Sequence, residues 1–237
     1  MSTHKVGIII PAFNEDEYLS HVLDVVCTAG WVDQIVLVDD GSTDNTLAVA
    51  IEYLQKDSRL VVVDQDMNRG KARAMLDGVQ ALDSDVDIVM FLDADLIGLE
   101  LHHLELLYHP VRSWQSHITV ALFQHGYWRT DWAHRLTPNL SGQRCFRRKA
   151  AERMLAPLVD SGYGVEIGLT FFARYQKWRI QYIVWEGVTH SMKEIKSGYW
   201  HGLKVRSVMY YQVLSTYFKT WWQTRWSERS GFKEVNT

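Results

Sequence analysis

The chain has 237 residues, of which 47% are hydrophobic, and it carries a formal net charge of −3. This length and apolar content suit one large α/β domain with an elaboration. Because there is no basic excess, the composition argues against a general nucleic-acid-binding protein. The first residues lead into a predicted strand without a signal-peptide hydrophobic segment, and no apolar run approaches the roughly 18 residues of a membrane span. We therefore expect a cytoplasmic protein; peripheral contact with the inner face of the membrane stays open.

Short β-branched runs alternate with amphipathic helical segments through the first 95 residues. The helical segments keep apolar residues at positions i, i+3 and i+4, as a helix with one buried face does. Strands that alternate with such helices predict right-handed βαβ units and a parallel sheet covered on both faces. The predicted strands are residues 6–10, 34–38, 60–63 and 88–92, and the predicted helical faces are residues 18–26, 47–54 and 72–79.

The second half has a less regular pattern. Residues 124–140 contain two Trp, two His and one Pro, which is typical of a functional loop. The stretch from 193 to 233 combines Lys and Arg with Tyr and Trp, a composition that suits a helix packed on the domain or across a homodimer, or contact with a membrane surface. We predict strands at 119–123, 142–147 and 180–185, and helices at 149–158, 165–175 and 202–217.

The predicted strand 88–92 ends in two carboxylates, Asp93 and Asp95. In an extended chain the side chains of residues i and i+2 point the same way, so these two can converge. Hard oxygen ligands of this kind suit Mg²⁺ or Mn²⁺ that bridges to a phosphate-bearing substrate. The alternative is a helix N-cap, since Asp commonly caps the element that follows a strand.

Polar clusters follow all four predicted strands of the first half. Residues 11–15 follow the first strand, 39–44 the second, and 68–71 come shortly after the third. Because open α/β sheets bind ligands at the carboxyl ends of their parallel strands, we expect the clusters to meet at one edge. Turn formation or helix capping explains each cluster alone, but does not require four charged clusters in register.

The order and spacing of these clusters resemble the family 2 glycosyltransferases, which have the GT-A fold. The resemblance is strong over residues 5–96 and weaker to about residue 196. It implies a Rossmann-like, mostly parallel sheet flanked by helices, with a C-terminal helical extension. It further implies a catalytic domain at 1–196, divided into a nucleotide-sugar-binding half (1–96) and an acceptor half (97–196), and an extension at 197–237. The resemblance rests on Pro11-Ala-Phe-Asn-Glu15, Val38-Asp-Asp-Gly-Ser-Thr-Asp44, Asn68-Arg-Gly-Lys-Ala72 and Asp93-Ala-Asp95.

The same resemblance implies a role for individual residues in holding the donor. A divalent cation on the diphosphate would stabilise the negative charge that develops as the sugar leaves. By position, the base would be held by Pro11, Ala12, Glu15 and Asp40, Lys71 would lie near the base or phosphates, Asp93 would meet the ribose or the metal, and Asp95 would bind the metal, Mg²⁺ or Mn²⁺.

Residues 162–168 have the sequence Gly-Tyr-Gly-Val-Glu-Ile-Gly, which resembles a stretch of the glucosyl-3-phosphoglycerate synthases and related retaining enzymes. The resemblance implies that Glu166 lies beside the reacting sugar and that a later histidine completes the metal site. His190 is the candidate, as a neutral imidazole ligand. The alternatives are a surface acid in the first turn of a helix for Glu166, and a structural loop residue for His190.

Two further sets of residues are candidates for the acceptor side. Asp131, in the loop that also holds His125 and His134, is a candidate general base for an inverting reaction, although a structural loop acid is the alternative. Residues 140–144 resemble an acceptor-side stretch, or else form a plain strand entrance. There Gly142 would allow close backbone approach, and Gln143 or Arg144 would contact sugar or phosphate.

These features predict a metal-dependent glycosyltransferase that moves a hexose from a UDP- or GDP-sugar to a hydroxyl or phosphate acceptor. Two subclasses stay open. Residues 162–168 and His190 favour a soluble acceptor with retention. The pair of Asp residues and the aromatic tail favour a polyprenyl-phosphate or glycolipid acceptor with inversion at the membrane surface, as in dolichol-phosphate sugar synthases. A non-catalytic sugar-nucleotide-binding module is the remaining alternative, because fold does not imply function.

Overall fold

The computed structural model describes residues 4–124, 141–159 and 165–191 of the chain. Strands and helices alternate through the first of these ranges. The strands are β1 Lys5–Ala12, β2 Gln34–Asp39, β3 Leu60–Asp64, β4 Val86–Phe91, β5 Leu96–Ile97, β6 Ile118–Gln124, β7 Arg144–Arg147, β8 Ile180–Glu186 and β9 Thr189–His190. The helices are α1 Leu19–Thr28, α2 Thr46–Leu54, α3 Lys71–Ala81, α4 Leu101–Arg112, α5 Arg148–Leu155 and α6 Val165–Tyr175, and a short 3-10 turn, Ala156–Leu158, follows α5.

The described strands form a seven-stranded sheet in the order β3-β2-β1-β4-β7-β6-β8 and a separate two-stranded sheet, β5-β9. Strands β1 to β4 are parallel to one another, β6 is parallel to β8, and β7 runs antiparallel to both of its neighbours. The predicted GT-A architecture, a mostly parallel sheet flanked by helices, is confirmed. Because β7 is antiparallel, the segment before it lies at the carboxyl edge of β4, where Phe91 pairs with Arg144.

Two hydrophobic layers cover the sheet because alternate strand residues face opposite sides. Ile8 and Ile10 of β1 pack in the layer that contains residues of α1, α2 and α4. Ile9, between them, packs in the layer formed with α3, α5 and α6. This two-sided burial explains the continuous apolar runs that identified the parallel strands.

Several elements differ from the sequence-based expectations. The helix predicted at 149–158 is a shorter helix followed by the 3-10 turn, where Pro157 lies. The sequence pattern did not predict helix α4 or the β5-β9 pair. Residues 125–140, the helix predicted at 202–217 and the aromatic stretch 193–233 lie outside the described residues, so the domain division stays a prediction. None of the helices in the described ranges has both the length and the apolar character of a membrane span.

Candidate active site

The structure brings Asp93, Asp95 and His190 together at the carboxyl edge of β4. The β5-β9 ladder pairs Leu96 with His190, which places the imidazole beside Asp95. The Nδ1 atom of His190 lies 3.2 Å from Asp95 Oδ1 and 3.9 Å from Asp93 Oδ2. One ligand atom from each of the three residues lies within 4.8 Å of the other two. The short two-stranded sheet therefore builds the triad that the sequence predicted.

The chemistry of these three side chains fits a divalent cation. Two carboxylates favour Mg²⁺ or Mn²⁺, and a neutral imidazole can complete the set. Asp93 and Asp95 are 15% and 19% exposed and His190 is 38% exposed, so the donor atoms lie in a partly covered site that a phosphate could still reach. The helix-cap interpretation fails, because Asp95 enters β5 and the next helix, α4, is capped by Glu100.

Metal affinity at this site should depend on pH through His190. Burial lowers the pKa of His190, but the hydrogen bond with Asp95 and the charge of Asp93 outweigh it, so the pKa is raised above its ordinary value. Since only the neutral imidazole binds a metal, we expect Mn²⁺ affinity to fall about tenfold per pH unit below that raised pKa. Mn²⁺ titrations followed by electron paramagnetic resonance across this pH range measure the slope.

The folding stability of the metal-free protein should follow the opposite trend and decrease as pH rises. A raised pKa contributes stability that is present below the pKa of the unfolded chain and is lost as pH rises through the folded value. His190→Gln should remove both this trend and the His190 part of the Mn²⁺ slope. An unchanged slope in that variant would contradict the assignment of His190 as a ligand.

Lys71 links the metal site to Glu166. Its Nζ atom lies 2.7 Å from Asp93 Oδ1 and 2.7 Å from Glu166 Oε1. Burial opposes the charge of Lys71, but the two carboxylates outweigh it and raise its pKa. Burial likewise acts to raise the pKa of Asp93, but Lys71 and then His190 outweigh it, so this pKa is lowered. The side chains of Glu166, Lys71 and Asp93 therefore form a continuous chain of ion-pair contacts, which we call the charge chain.

Glu166 is buried, although it lies in the first turn of α6, where a surface acid was the alternative expectation. Its backbone oxygen accepts a hydrogen bond from Thr170 Oγ1 at 3.0 Å, and Arg144 Nη1 donates to the same hydroxyl at 2.8 Å. Only 6% of Glu166 is exposed, and its carboxylate faces Lys71. The side chain thus points into the site and not into solvent.

The predicted acceptor stretch lies against Asp93 and α6. Gln143 is fully buried and its Nε2 donates to Asp93 Oδ2 at 2.7 Å. Gly142 is needed because a Cβ there would lie 2.8 Å from Asp93 Cγ. Arg144 is 1% exposed, and its Nε donates to the Ser141 oxygen at 2.8 Å; burial lowers its pKa to about 10.

The loops that follow β1, β2 and β3 are fastened to one another at the same edge. Both carboxylate oxygens of Asp40 accept backbone hydrogen bonds, from Arg69 N at 2.7 Å and Gly70 N at 2.9 Å. Burial raises the pKa of Asp40, although these two bonds oppose the shift. The Glu15 N–H donates to Thr46 Oγ1 at 2.7 Å. Pro11 and Ala12 lie in β1 and pair with Val38 and Asp39 of β2.

The sequence did not identify two residues that the structure places at the site, Ser191 and Phe123. The backbone N–H of Ser191 donates to the backbone carbonyl oxygen of Asp95 at 3.2 Å, and the Ser191 hydroxyl donates to Asp95 Oδ2 at 3.2 Å. The ring of Phe123 packs edge-on against His190 with a centroid distance of 4.7 Å. Both contacts depend on the β5-β9 pairing, which no local pattern predicts. Asp131, His125, His134 and Gly162 lie outside the described residues.

Curated proteins with similar sequences are glycosyltransferases. The chain is 31% identical over 117 residues to Glycosyltransferase GlyA of Streptococcus pneumoniae, which is 49% of this chain and 16% of that protein. It is 31% identical over 93 residues to a poly-beta-1,6-N-acetyl-D-glucosamine synthase of Staphylococcus epidermidis, which is 39% of this chain and 22% of that protein. The chain thus spans less than a quarter of the length of each relative.

Solved structures of glucosyl-3-phosphoglycerate synthase from Mycobacterium tuberculosis share the fold. One, in complex with Mn²⁺, UDP and glucosyl-3-phosphoglycerate, matches with a TM-score of 0.69 and 22% identity over 92% of this chain and 80% of that chain. Another, with Mn²⁺, UDP-glucose and phosphoglyceric acid, has a TM-score of 0.70 and 22% identity over 92% of this chain and 79% of that chain. At this identity the likeness establishes the fold.

The family model for glycosyl transferase family 2 matches residues 7–163, about two thirds of the chain. This range contains all four polar clusters and the strands that precede them. The fold and the sequence comparisons agree with it. The chain therefore belongs to glycosyl transferase family 2, a family of sugar-transferring enzymes.

Proposed function

We propose that this protein transfers a hexose from a nucleoside diphosphate sugar with a divalent Mg²⁺ or Mn²⁺ ion held by Asp95, His190 and Asp93. The observation that carries the proposal is the convergence of these three side chains, whose ligand atoms lie within 4.8 Å of one another, at the sheet edge where the loops after β1, β2 and β3 meet. The intact charge chain beside them argues against a module that only binds sugar nucleotides. A bound cation would neutralise the charge that develops on the departing diphosphate.

The donor that we propose to test first is UDP-glucose, because the synthase with the same fold was solved with it and Mn²⁺. In our proposal Pro11, Ala12, Glu15 and Asp40 hold the base, and Lys71 lies near the phosphates. The hydrogen bonds from the backbone of Arg69 and Gly70 to Asp40 would keep the loops after β2 and β3 at a fixed separation. A pre-formed base site lowers the entropic cost of binding.

In the transfer step the acceptor oxygen bonds to the anomeric carbon while the bond to the diphosphate oxygen breaks, and the acceptor hydroxyl loses its proton. The contact with Lys71 fixes the position of the Glu166 side chain, so that it can orient a hydroxyl of the sugar or the acceptor. If transfer inverts the anomeric carbon, we propose Asp131 as the general base. If transfer retains the configuration, the departing diphosphate oxygen would take the proton of the acceptor hydroxyl, so no protein base is required.

In our proposal the acceptor group is a hydroxyl or a phosphate, carried either by a small soluble molecule or by a polyprenyl phosphate or glycolipid. The synthase with the same fold was solved with phosphoglyceric acid, which favours the first. The mixture of Trp, Tyr, Lys and Arg in residues 193–233 favours the second, with the protein peripheral on the inner face of the membrane, or else a homodimer contact through this extension.

A UDP-release assay with UDP-glucose, Mn²⁺ and a panel of acceptors tests the proposal. We expect metal-dependent UDP release that increases with a phosphate-bearing acceptor, and proton NMR of the anomeric signal in the product to report retention or inversion. Tight binding of UDP-glucose with no release under any acceptor would contradict the proposal and favour the binding module.

A further inference from the structure

We propose that Gln143 is a positioning residue that holds the Asp93 carboxylate in the orientation needed for metal binding, and that it does not contact the acceptor. This inference rests on the proposed function, because it assigns a role within the same metal site. Gln143 Nε2 donates to Asp93 Oδ2 at 2.7 Å, and its Oε1 accepts from Ser141 Oγ at 2.9 Å. Both ends of the amide are therefore engaged.

The chemistry of the partners fixes the orientation of this amide. An ionised carboxylate only accepts hydrogen bonds, so the NH₂ group of Gln143 must face Asp93. Lys71 Nζ forms an ion pair with Asp93 Oδ1 at 2.7 Å, and a carboxylate in such a pair accepts the hydrogen bond from Gln143. The carbonyl oxygen must then face Ser141, whose hydroxyl donates to it. The amide has one stable orientation in this environment.

Two donors from different parts of the fold hold the two oxygens of Asp93. Lys71, at the start of α3, forms an ion pair with Oδ1, and Gln143, just before β7, donates a hydrogen bond to Oδ2. The oxygen bound by Gln143 is also the one that lies 3.9 Å from His190 Nδ1. Because each carboxylate oxygen has two lone pairs, Oδ2 can accept from Gln143 and still face a cation. Gln143 thus fixes the plane of the carboxylate at the metal site.

The burial of Gln143 argues against the contact with an acceptor that the sequence suggested. No part of Gln143 is exposed in the structure, and Gly142 brings its backbone directly against the Asp93 carboxylate. A residue that binds an acceptor would change the KM for acceptor and leave metal affinity intact. A residue that positions Asp93 would change metal affinity first.

The test compares Gln143→Met with a matched control, Gln65→Met. Gln65 is also buried and its Nε2 donates to Asp77 Oδ2 at 2.8 Å, but this pair does not include a metal ligand. Methionine keeps the length of glutamine and removes the donor in both variants. We expect Gln143→Met to weaken Mn²⁺ binding by about 10-fold to 100-fold. Losses of this size are typical when a side chain that hydrogen-bonds to a metal ligand is removed. Gln65→Met should leave Mn²⁺ binding unchanged.

Electron paramagnetic resonance of free Mn²⁺ gives the dissociation constants, and steady-state kinetics with UDP-glucose gives the KM for Mn²⁺ and for acceptor. A raised KM for Mn²⁺ with an unchanged KM for acceptor supports positioning. Wild-type Mn²⁺ affinity in folded Gln143→Met, or a raised KM for acceptor alone, overturns it and leaves the proposed function standing. No Mn²⁺ binding by the wild-type protein would instead refute the proposed metal site itself.

Ser141→Ala provides a second variant that leaves the buried glutamine in place. It removes the hydroxyl that orients the Gln143 amide, so Mn²⁺ binding should weaken in the same direction by about twofold to tenfold, the effect of one neutral hydrogen bond. If Gln143→Met does not fold, this variant decides the outcome. Unchanged Mn²⁺ binding in Ser141→Ala would then count against the proposal.

Discussion

Asp95→Ala should abolish metal-dependent activity, lowering kcat/KM for UDP-glucose by about 10³-fold or more at saturating acceptor. Asp95 is joined to His190 and Ser191, and in our proposal it binds the cation that stabilises the departing diphosphate. Loss of several kcal/mol of charge stabilisation in the transition state corresponds to an effect of this size. Steady-state kinetics at several Mn²⁺ concentrations measures it.

Asp66→Ala is the matched control, because Asp66 is an exposed carboxylate in the loop after β3. It changes the net charge by the same amount and should leave both the activity and the Mn²⁺ dependence unchanged. Circular dichroism should show that both variants are folded. Asp95→Ala with wild-type kcat/KM and the same Mn²⁺ dependence would show that Asp95 is not a metal ligand.

Lys71→Met should destabilise the protein by about 3 kcal/mol near neutral pH, because it leaves the buried Glu166 and the mostly covered Asp93 without their cation. Glu166 and Asp93 are 8% and 15% exposed at the side chain, and Lys71 lies 2.7 Å from an oxygen of each. Denaturant unfolding gives the free energy. Lys71→Arg, which keeps the positive charge, is the control, and its free energy of unfolding should decrease by less.

The destabilisation by Lys71→Met should shrink in acid. In the wild-type protein the pKa of Asp93 is lowered, so its contribution to stability is present above the ordinary Asp pKa and is lost as pH falls through the folded value. In Lys71→Met, protonation of the two carboxylates removes the charges that no longer have a lysine partner, so the loss of stability becomes smaller as pH falls. The double variant Lys71→Met/Glu166→Gln should therefore recover part of the loss at neutral pH. Equal stability of Lys71→Met and wild type at neutral pH would contradict the charge chain.

The sequence predicted the location of the site because topology determines it. Parallel strands bring their carboxyl ends to one edge, so the clusters after β1, β2, β3 and β4 had to meet there once the alternating pattern was recognised. The convergence of Asp93 and Asp95 was expected from the two-residue period of an extended chain. The structure does bring the two carboxylates together. However, β4 ends at Phe91 and Asp95 lies in a turn, so the expected reason was wrong. Lys71 also lies where its cluster predicts, at the start of α3.

The contacts that complete the site depend on pairing between distant parts of the chain. His190 was identified through family resemblance alone, and its neighbour Ser191 was not identified, because the β5-β9 ladder joins short segments without a recognisable pattern. The role of Gln143 follows from the antiparallel direction of β7, which places the preceding segment beside Asp93. A four-residue strand of this kind can pair in either direction as far as its sequence shows.

Calorimetric titration of UDP-glucose into the protein, with and without Mn²⁺, tests the central claim most directly. Because Asp93, Asp95 and His190 share one edge of the sheet with the loops that we propose to bind the nucleotide, donor and metal should bind together. We predict clear binding in the presence of Mn²⁺ that is strongly weakened when the metal is removed by a chelator. No binding of UDP-glucose or any other UDP- or GDP-sugar to the folded protein, with either Mn²⁺ or Mg²⁺ present, would contradict the account.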